Sequence, residues 1–284
     1  MKILILGSSG LLGNKIYYFL KKKRLNIIHN GLKKKKLDIT NLNNLKIILN
    51  KKPDLIINCA AETNIEKCEK FFTETSKINI ELGNNIFLLK KKLNLKFSVI
   101  FFSTDQVYES KKPSKENYKL TTYNNYSYQK LKAEKIYTKN KSIIFRTNFF
   151  GKGVGAQKSF SDWLYNSFKS NRKFFLFKDI VFNPVRIETL SNIVYKIIKN
   201  KKLNNNGIYN IGSKGKISKS NFGIFFAKRL KIYNNKEIAC NSSEILKVKR
   251  PRNMSMNIRK FEKKFNIRLP SIKSEIINEI KNYK

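Results

Sequence analysis

The sequence predicts an α/β fold, a doubly wound parallel sheet with a smaller lobe interleaved on its carboxyl side. Three observations carry this. The apolar run Lys2-Ile-Leu-Ile-Leu6 passes directly into Gly7-Ser-Ser-Gly10-Leu11-Leu12-Gly13 and then into a helix-periodic stretch. The run Asp54-Leu-Ile-Ile-Asn-Cys59 is apolar on both faces, as a central parallel strand must be when helices cover both sides of the sheet. Finally, 284 residues of which 41% are hydrophobic suffice for one large α/β domain with a smaller lobe.

The opening glycines turn the first strand sharply and restart the chain as a helix over 12–23, with Leu12, Ile16, Phe19 and Leu20 on one face. Such a turn aims backbone N–H groups and a helix N-terminus at one point, which attracts phosphate. Glycine permits the dihedrals and keeps no Cβ between backbone and pyrophosphate. The spacing G-x-x-G-x-x-G is wider than the G-x-G-x-x-G fingerprint, and its place between a strand and a helix is what favours a dinucleotide over an ordinary turn.

A second strand follows at 25–29. In NAD-binding units a carboxylate about 20 residues past the glycines holds the ribose 2′-hydroxyl. Here that neighbourhood offers His29 and Asn30 and then lysines at 33–36. With no carboxylate to repel a 2′-phosphate and lysines to attract one, NADP(H) is favoured over NAD(H).

Leu37-Asp38-Ile39-Thr40 reads as a short third strand, with Thr40 or Asn41 capping a helix over 42–49. Asn58-Cys59-Ala60-Ala61 places small residues at the carboxyl end of the strand at 54–59, where ligands sit in open α/β sheets. A long helix over 71–93, carrying Asn79, leads to a buried strand at 97–102 that ends in Ser103-Thr104-Asp105. Hydroxyls in that position serve as caps or as catalytic donors.

A helix over 123–139 contains Tyr126-Ser-Tyr128-Gln-Lys130. Residues four apart share a helix face, so the Tyr126 phenol and the Lys130 ammonium project together. A nearby positive charge favours the phenolate, and a tyrosine so tuned can exchange a proton near neutral pH. A strand at 142–145 runs into Arg146-Thr-Asn148-Phe-Phe-Gly151. Helices follow over 160–168, with the only tryptophan, Trp163, and over 188–199; the last strand lies at 207–211, and two more helices at 220–230 and 274–283 flank Arg250-Pro-Arg252-Asn. No repeat or disordered linker separates the parts. A dinucleotide-binding domain is therefore expected from 1–150 with about 179–212, and a substrate-binding lobe from about 151–178 with 213–284.

Composition narrows the chemistry. A single histidine, His29, removes Ser-His-Asp and multi-histidine zinc sites, and Cys59, Cys68 and Cys240 have no metal-ligand spacing, so no metal is expected. The net charge is +41, from 60 basic against 19 acidic residues, spread along the whole length and mostly lysine. Salt-sensitive attraction to polyanions is expected. A dedicated nucleic-acid site is not, because base readout leans on arginine forks and stacked aromatics, and neither is clustered. No apolar run approaches the ~20 residues that span a bilayer, and no cleavage pattern follows the first strand, so a cytoplasmic location is expected.

Taken in order, Gly7/Gly10/Gly13, Asp38, Asn58-Cys-Ala-Ala61, Ser103-Thr-Asp105, Tyr126/Lys130, Phe145-Arg-Thr147 and Arg250-Pro resemble the extended short-chain dehydrogenase/reductases. Within them the chain is most similar to the dTDP-4-dehydrorhamnose reductases, almost end to end. The resemblance implies a Rossmann domain for NAD(P), a nucleotide-sugar substrate, a place in polysaccharide biosynthesis, and leaves room for a homodimer. It implies Tyr126 as the catalytic acid, Lys130 as the group that tunes it and holds the nicotinamide ribose, and Thr104 as the hydroxyl that polarises the carbonyl. It further implies cofactor contacts from Gly7, Gly10, Leu11, Leu12 and Gly13, from Asp38 and Ile39 at the adenine, and from Ala60, Ala61 and Thr63. Asn148, Arg186 and Arg250, with Arg252, are candidates for the substrate, since guanidinium forks suit phosphate; surface salt bridges are the alternative. Asn148-Phe-Phe-Gly151 departs from the serine and aromatic that the reductases carry after the Arg-Thr pair, and the stretch 152–158 is also altered. An epimerase or dehydratase, or a regulatory subunit on the same fold, therefore stays open beside a reductase of a 4-keto-6-deoxy sugar.

Overall fold

Isoleucine and leucine fill Lys2–Leu6 (β1), and every side chain from Ile3 on is buried, so this strand has neighbours on both edges. Asn26–His29 (β2) pairs with it on one side and Leu55–Asn58 (β3) on the other, both in parallel, with Ile3 opposite Ile27 and Leu55. β3 pairs in parallel with Ser98–Thr104 (β4). Ile143–Thr147 (β5) and Gly207–Ile211 (β6) complete a six-stranded sheet of order β6-β5-β4-β3-β1-β2. The order reverses at β1, the point where an open sheet of this kind leaves a ligand crevice at its carboxyl ends.

The structure is a computed structural model and describes residues 1–31, 37–154, 157–170 and 172–284. The lysines at 33–36 that favour NADP(H) in the sequence lie outside the described residues. The chain divides into two compact units, one of Met1–Thr104, Asn124–Arg146 and Leu190–Tyr209, the other of Asp105–Tyr123, Thr147–Thr189 and Asn210–Lys284.

The first unit carries the sheet and the helices Leu11–Lys22 (α1), Leu42–Leu49 (α2), Ile65–Lys70 (α3), Phe72–Ser76 (α4), Leu82–Lys92 (α5) and Asn125–Lys139 (α6). Its core joins Leu4, Leu6, Ile56, Val99 and Phe101 of the strands to Leu45, Ile86 and Ala133 of the helices. Tyr137 stacks on Phe101 with ring centroids 4.0 Å apart, and its hydroxyl oxygen accepts from the Asn58 side-chain amide at 2.6 Å.

Two elements differ from the sequence expectation. Leu37-Asp38-Ile39-Thr40 is a turn and not a strand: the Asp38 carboxylate accepts from both the backbone N–H and the hydroxyl of Thr40, at 2.9 and 2.7 Å, and this local bonding competes with any ladder. Asn41 then caps α2. The helix expected over 71–93 is present from Phe72 to Lys92, but it is not uniformly α: α4 passes through a π-helical turn at Lys77–Glu81 into α5. Thr75 bonds back to the Phe71 and Phe72 carbonyls, and buried Asn79 in the π turn reaches sideways to Gln129 of α6 at 2.7 Å. Widened turns of this kind recur at functional sites.

The second unit packs the helices Phe160–Lys169, Lys219–Leu230 and Ile272–Ile280 around Phe150, Phe182, Phe222 and Phe226. Its strands are short pairs, among them Val181–Phe182 against Ile217–Ser218. Among the described residues no helix is long and apolar enough to cross a membrane.

Candidate active site

The glycine turn is built for close approach. Gly7 has φ of +76°, and a Cβ there would stand 2.6 Å from the Ala60 nitrogen; a Cβ on Gly13 would stand 2.3 Å from the Gly7 carbonyl oxygen. Neither contact is tolerable, so the loop after β1, the start of α1 and the end of β3 are pressed together. α1 begins on Gly10 with no side-chain cap and no acidic residue in its first turn, leaving N–H donors for an anion. This cradle fits a dinucleotide pyrophosphate.

Asn30 fixes that turn. Buried at the end of β2, its Oδ1 accepts from the N–H groups of Gly7 and Ser8 and from the Ser8 hydroxyl, at 3.0, 3.3 and 3.1 Å. The position that a carboxylate occupies in NAD-binding units is thus held by a neutral amide turned toward the glycines. Asp38 binds Thr40, Ile39 is buried, Ala60 is buried with its N–H on Asn58 at 3.0 Å, Ala61 is half-buried and Thr63 is exposed. Leu11 opens α1 and Leu12 packs inward from it.

Tyr126 and Lys130 lie in the first turns of α6, whose start is fixed by a capping box in which Asn124 accepts from the Ser127 N–H. Both are buried. The Lys130 ammonium donates to the Phe102 carbonyl at 2.7 Å and lies 4.2 Å from the Phe101 ring centroid. Thr104, also buried, ends the same strand two residues on, so the anchored Lys130 and Thr104 share the carboxyl end of β4, with Tyr126 one helical turn before Lys130. Burial pushes Lys130 down to about 8, against the Glu134 carboxylate, which favours the charge. Burial pushes the Cys59 thiol up, with Lys130 opposing; a thiol held neutral is no nucleophile.

One turn beyond Lys130, Glu134 accepts from Arg146 at 2.6 Å and from the Ser103 hydroxyl at 2.5 Å, all three buried. This knot ties α6 to β4 and β5 directly behind the site. A second knot holds the loop that contains Ala61 and Thr63: Asn79 accepts from the Glu62 N–H at 2.9 Å and donates to the Glu62 carbonyl at 3.0 Å.

The second unit holds the remaining candidates. Asn148 donates to Asp105 at 2.9 Å. Arg250 lines a cleft of about 320 Å³ with Tyr123, Lys247, Lys249 and Arg252. Arg186 is not with them: its guanidinium pairs with Glu188 at 2.6 Å and faces Glu279 at 3.7 Å, while its N–H donates to Glu275. Three carboxylates converge on it, which makes it part of this unit's internal ion-pair network.

The profile of the RmlD substrate binding domain family matches residues 1–284, the whole chain. The chain belongs to this family. Among solved structures, a dTDP-4-dehydrorhamnose reductase from Clostridium acetobutylicum is 27% identical with a TM-score of 0.88, covering 100% of this chain and 99% of that one. One from Bacillus anthracis, solved in complex with NADP, is 22% identical with a TM-score of 0.88 over 99% of each chain. The spore coat polysaccharide biosynthesis protein SpsK of Bacillus subtilis is 24% identical over 220 residues, 75% of this chain and 74% of its own length. Membership of the RmlD family accounts for the order of the motifs. Of the supports behind them, Arg146 lies in the Phe145-Arg-Thr147 motif, whereas Asn30, Gln129 and Glu134 are given no role from sequence, and the one sequence signal for Glu134 is its place four residues after Lys130.

Proposed function

We propose that this chain is a nicotinamide-dependent oxidoreductase that uses NADP(H) to reduce the 4-keto group of a nucleotide-linked 6-deoxy sugar, in polysaccharide biosynthesis. The observation that carries the reading is the buried Lys130 ammonium, anchored on β4 one helical turn beyond Tyr126 and behind Thr104. Whole-length membership of the RmlD family supports it, as do a relative that is a dTDP-4-dehydrorhamnose reductase and another that is a spore coat polysaccharide biosynthesis protein.

In this reading Gly7, Gly10, Leu11, Leu12 and Gly13 hold the pyrophosphate, Asp38 and Ile39 the adenine, and Ala60, Ala61 and Thr63 the rest of the dinucleotide. Bound there, the cofactor supplies a hydride to the carbonyl carbon. Thr104 donates a hydrogen bond to the carbonyl oxygen, and Tyr126 donates its phenolic proton as alkoxide charge develops. Lys130 favours the phenolate that remains and binds the nicotinamide ribose. The neutral Asn30 where NAD-binding units carry a carboxylate supports NADP(H) over NAD(H), as does the relative solved with NADP. Asn148 and Arg250 bind the substrate, with the diphosphate on the cationic cleft.

Purified protein given NADPH and dTDP-4-keto-6-deoxymannose is expected to consume the reduced-nicotinamide absorbance. Absence of turnover with dTDP-, UDP- and GDP-linked 4-keto sugars alike would end this reading.

A further inference from the structure

Lys219 has no part in the chemistry above, yet the second unit builds it beside Arg250. The strand Val181–Phe182 is the reason. One of its edges pairs antiparallel with Ile217–Ser218, which delivers Lys219 at the head of the helix Lys219–Leu230. Its other edge takes the segment that follows Arg250: the Val181 N–H donates to the Arg252 carbonyl at 2.6 Å, and the Met254 N–H to the Val181 carbonyl at 2.9 Å. The helix start cannot swing away, because the Ser218 hydroxyl caps the Asn221 N–H and the Lys219 N–H donates to the Ile180 carbonyl at 2.9 Å.

The charges that act on the Lys219 ammonium are Arg250, which repels it, and Asp105, which attracts it; the Phe160 ring lies 5.5 Å away. Asp105 is itself buried and accepts from Asn148. Arg250 continues the positive field into its cleft through Lys247, Lys249 and Arg252. Glu109, the one carboxylate among the described lining residues, is engaged by the Tyr123 hydroxyl and the Arg252 N–H. The Lys219 ammonium thus feels a second cation, Arg250, and a carboxylate, Asp105, and an anion brought beside it favours its charge.

We propose that Lys219 is a substrate-positioning residue which, together with Arg250, clamps the diphosphate of the nucleotide sugar and takes up a proton as that diphosphate arrives. The proposal rests on the reductase reading for the identity of the anion. Desolvation, and after it Arg250, push Lys219 down to about 8, with Asp105 opposing. A dianion beside the ammonium reverses that balance. The bound pKa then lies above the free one, so affinity is full below about pH 8 and falls as pH rises past it.

The test is calorimetric titration of the intact protein with dTDP in buffers of different ionisation enthalpy. Wild type is expected to take up roughly half a proton per dTDP near pH 8. Lys219→Gln is expected to bind dTDP about tenfold more weakly without proton uptake, and to bind NADPH as before. Lys219→Arg is expected to keep the affinity and lose the proton uptake, and it decides the matter alone should Lys219→Gln fail to fold. Proton uptake that persists in either variant, or dTDP affinity in Lys219→Gln equal to wild type, overturns the proposal. So does a wild type that binds none of dTDP, UDP and GDP, an outcome separate from the reductase reading, which stands or falls on NADPH consumption with the 4-keto sugars.

Discussion

The Lys130 ammonium donates its hydrogen bond to the Phe102 carbonyl, on the strand that ends at Thr104. A helix residue is thereby pinned to the sheet, and burial holds it near a pKa of about 8, below the ordinary lysine value of 10.5. The proposed reaction uses the charged form, so kcat/KM is expected to be level around neutral pH and to fall above about pH 8, approaching tenfold per pH unit. Stability follows the opposite sign. The native pKa is the lower one, so the unfolded chain binds more protons between about 8 and 10.5, and this group's contribution to stability rises with pH across that window. A pH–rate profile beside urea unfolding over the same range checks both; a rate level up to about pH 10 contradicts the first.

Tyr126→Phe removes one hydroxyl from a buried side chain and keeps its ring. Turnover is expected to drop by about 10²–10⁴-fold, the usual contribution of a positioned proton donor. NADPH affinity and the unfolding midpoint are expected to change little. Tryptophan or cofactor fluorescence titration beside the steady-state assay separates the two effects, and a regulatory subunit on this fold would show no loss of function at all.

Gly13→Ala places a Cβ 2.3 Å from the Gly7 carbonyl oxygen, and the contact is with backbone, which has no rotamer to retreat into. The turn must open to accept it, and the cradle opens with it. NADPH binding is expected to weaken by more than tenfold, with a loss of stability of about 1–3 kcal/mol. Gly10→Ala, whose Cβ would meet only the Gly7 oxygen at 3.3 Å, is expected to be milder on both measures. The order of the two variants in a binding titration is the test.

The strands, the glycine turn and the Tyr126/Lys130 face were legible because each is local: a period, a spacing or an i,i+4 pair written in neighbouring residues. Asp38 shows where that reading ends. Leucine and isoleucine around it mimic a strand, and only the carboxylate's bonds to Thr40 make it a turn. The helix expected over 71–93 runs without a gap from Phe72 to Lys92 but widens into a π turn at Lys77–Glu81, where Asn79 bonds Gln129 fifty residues away. Arg186 and Arg250 are the same residue type, and the sequence offers both to a phosphate; Glu188, two residues on, and Glu275 and Glu279 of the helix Ile272–Ile280 claim the first. Contacts between distant segments decide the last two cases, and a single sequence does not spell them out.

Glu134 is where stability and catalysis meet. Its carboxylate accepts from Arg146 and Ser103, all three buried, and its charge also supports that of Lys130. Glu134→Ala leaves a buried guanidinium without its counter-charge, and a loss of about 3–5 kcal/mol is expected in urea unfolding. Pairing Glu134→Leu with Arg146→Met removes both charges, and the double variant is expected to recover most of that loss, because a buried ion pair adds little over packed apolar groups. The double variant still lacks the carboxylate that favours the Lys130 ammonium, so the alkaline fall in its pH–rate profile is expected to begin below that of wild type. Recovered stability together with a shifted profile assigns Glu134 to the positioning of Lys130; recovered stability with an unchanged profile confines it to holding α6 on the sheet.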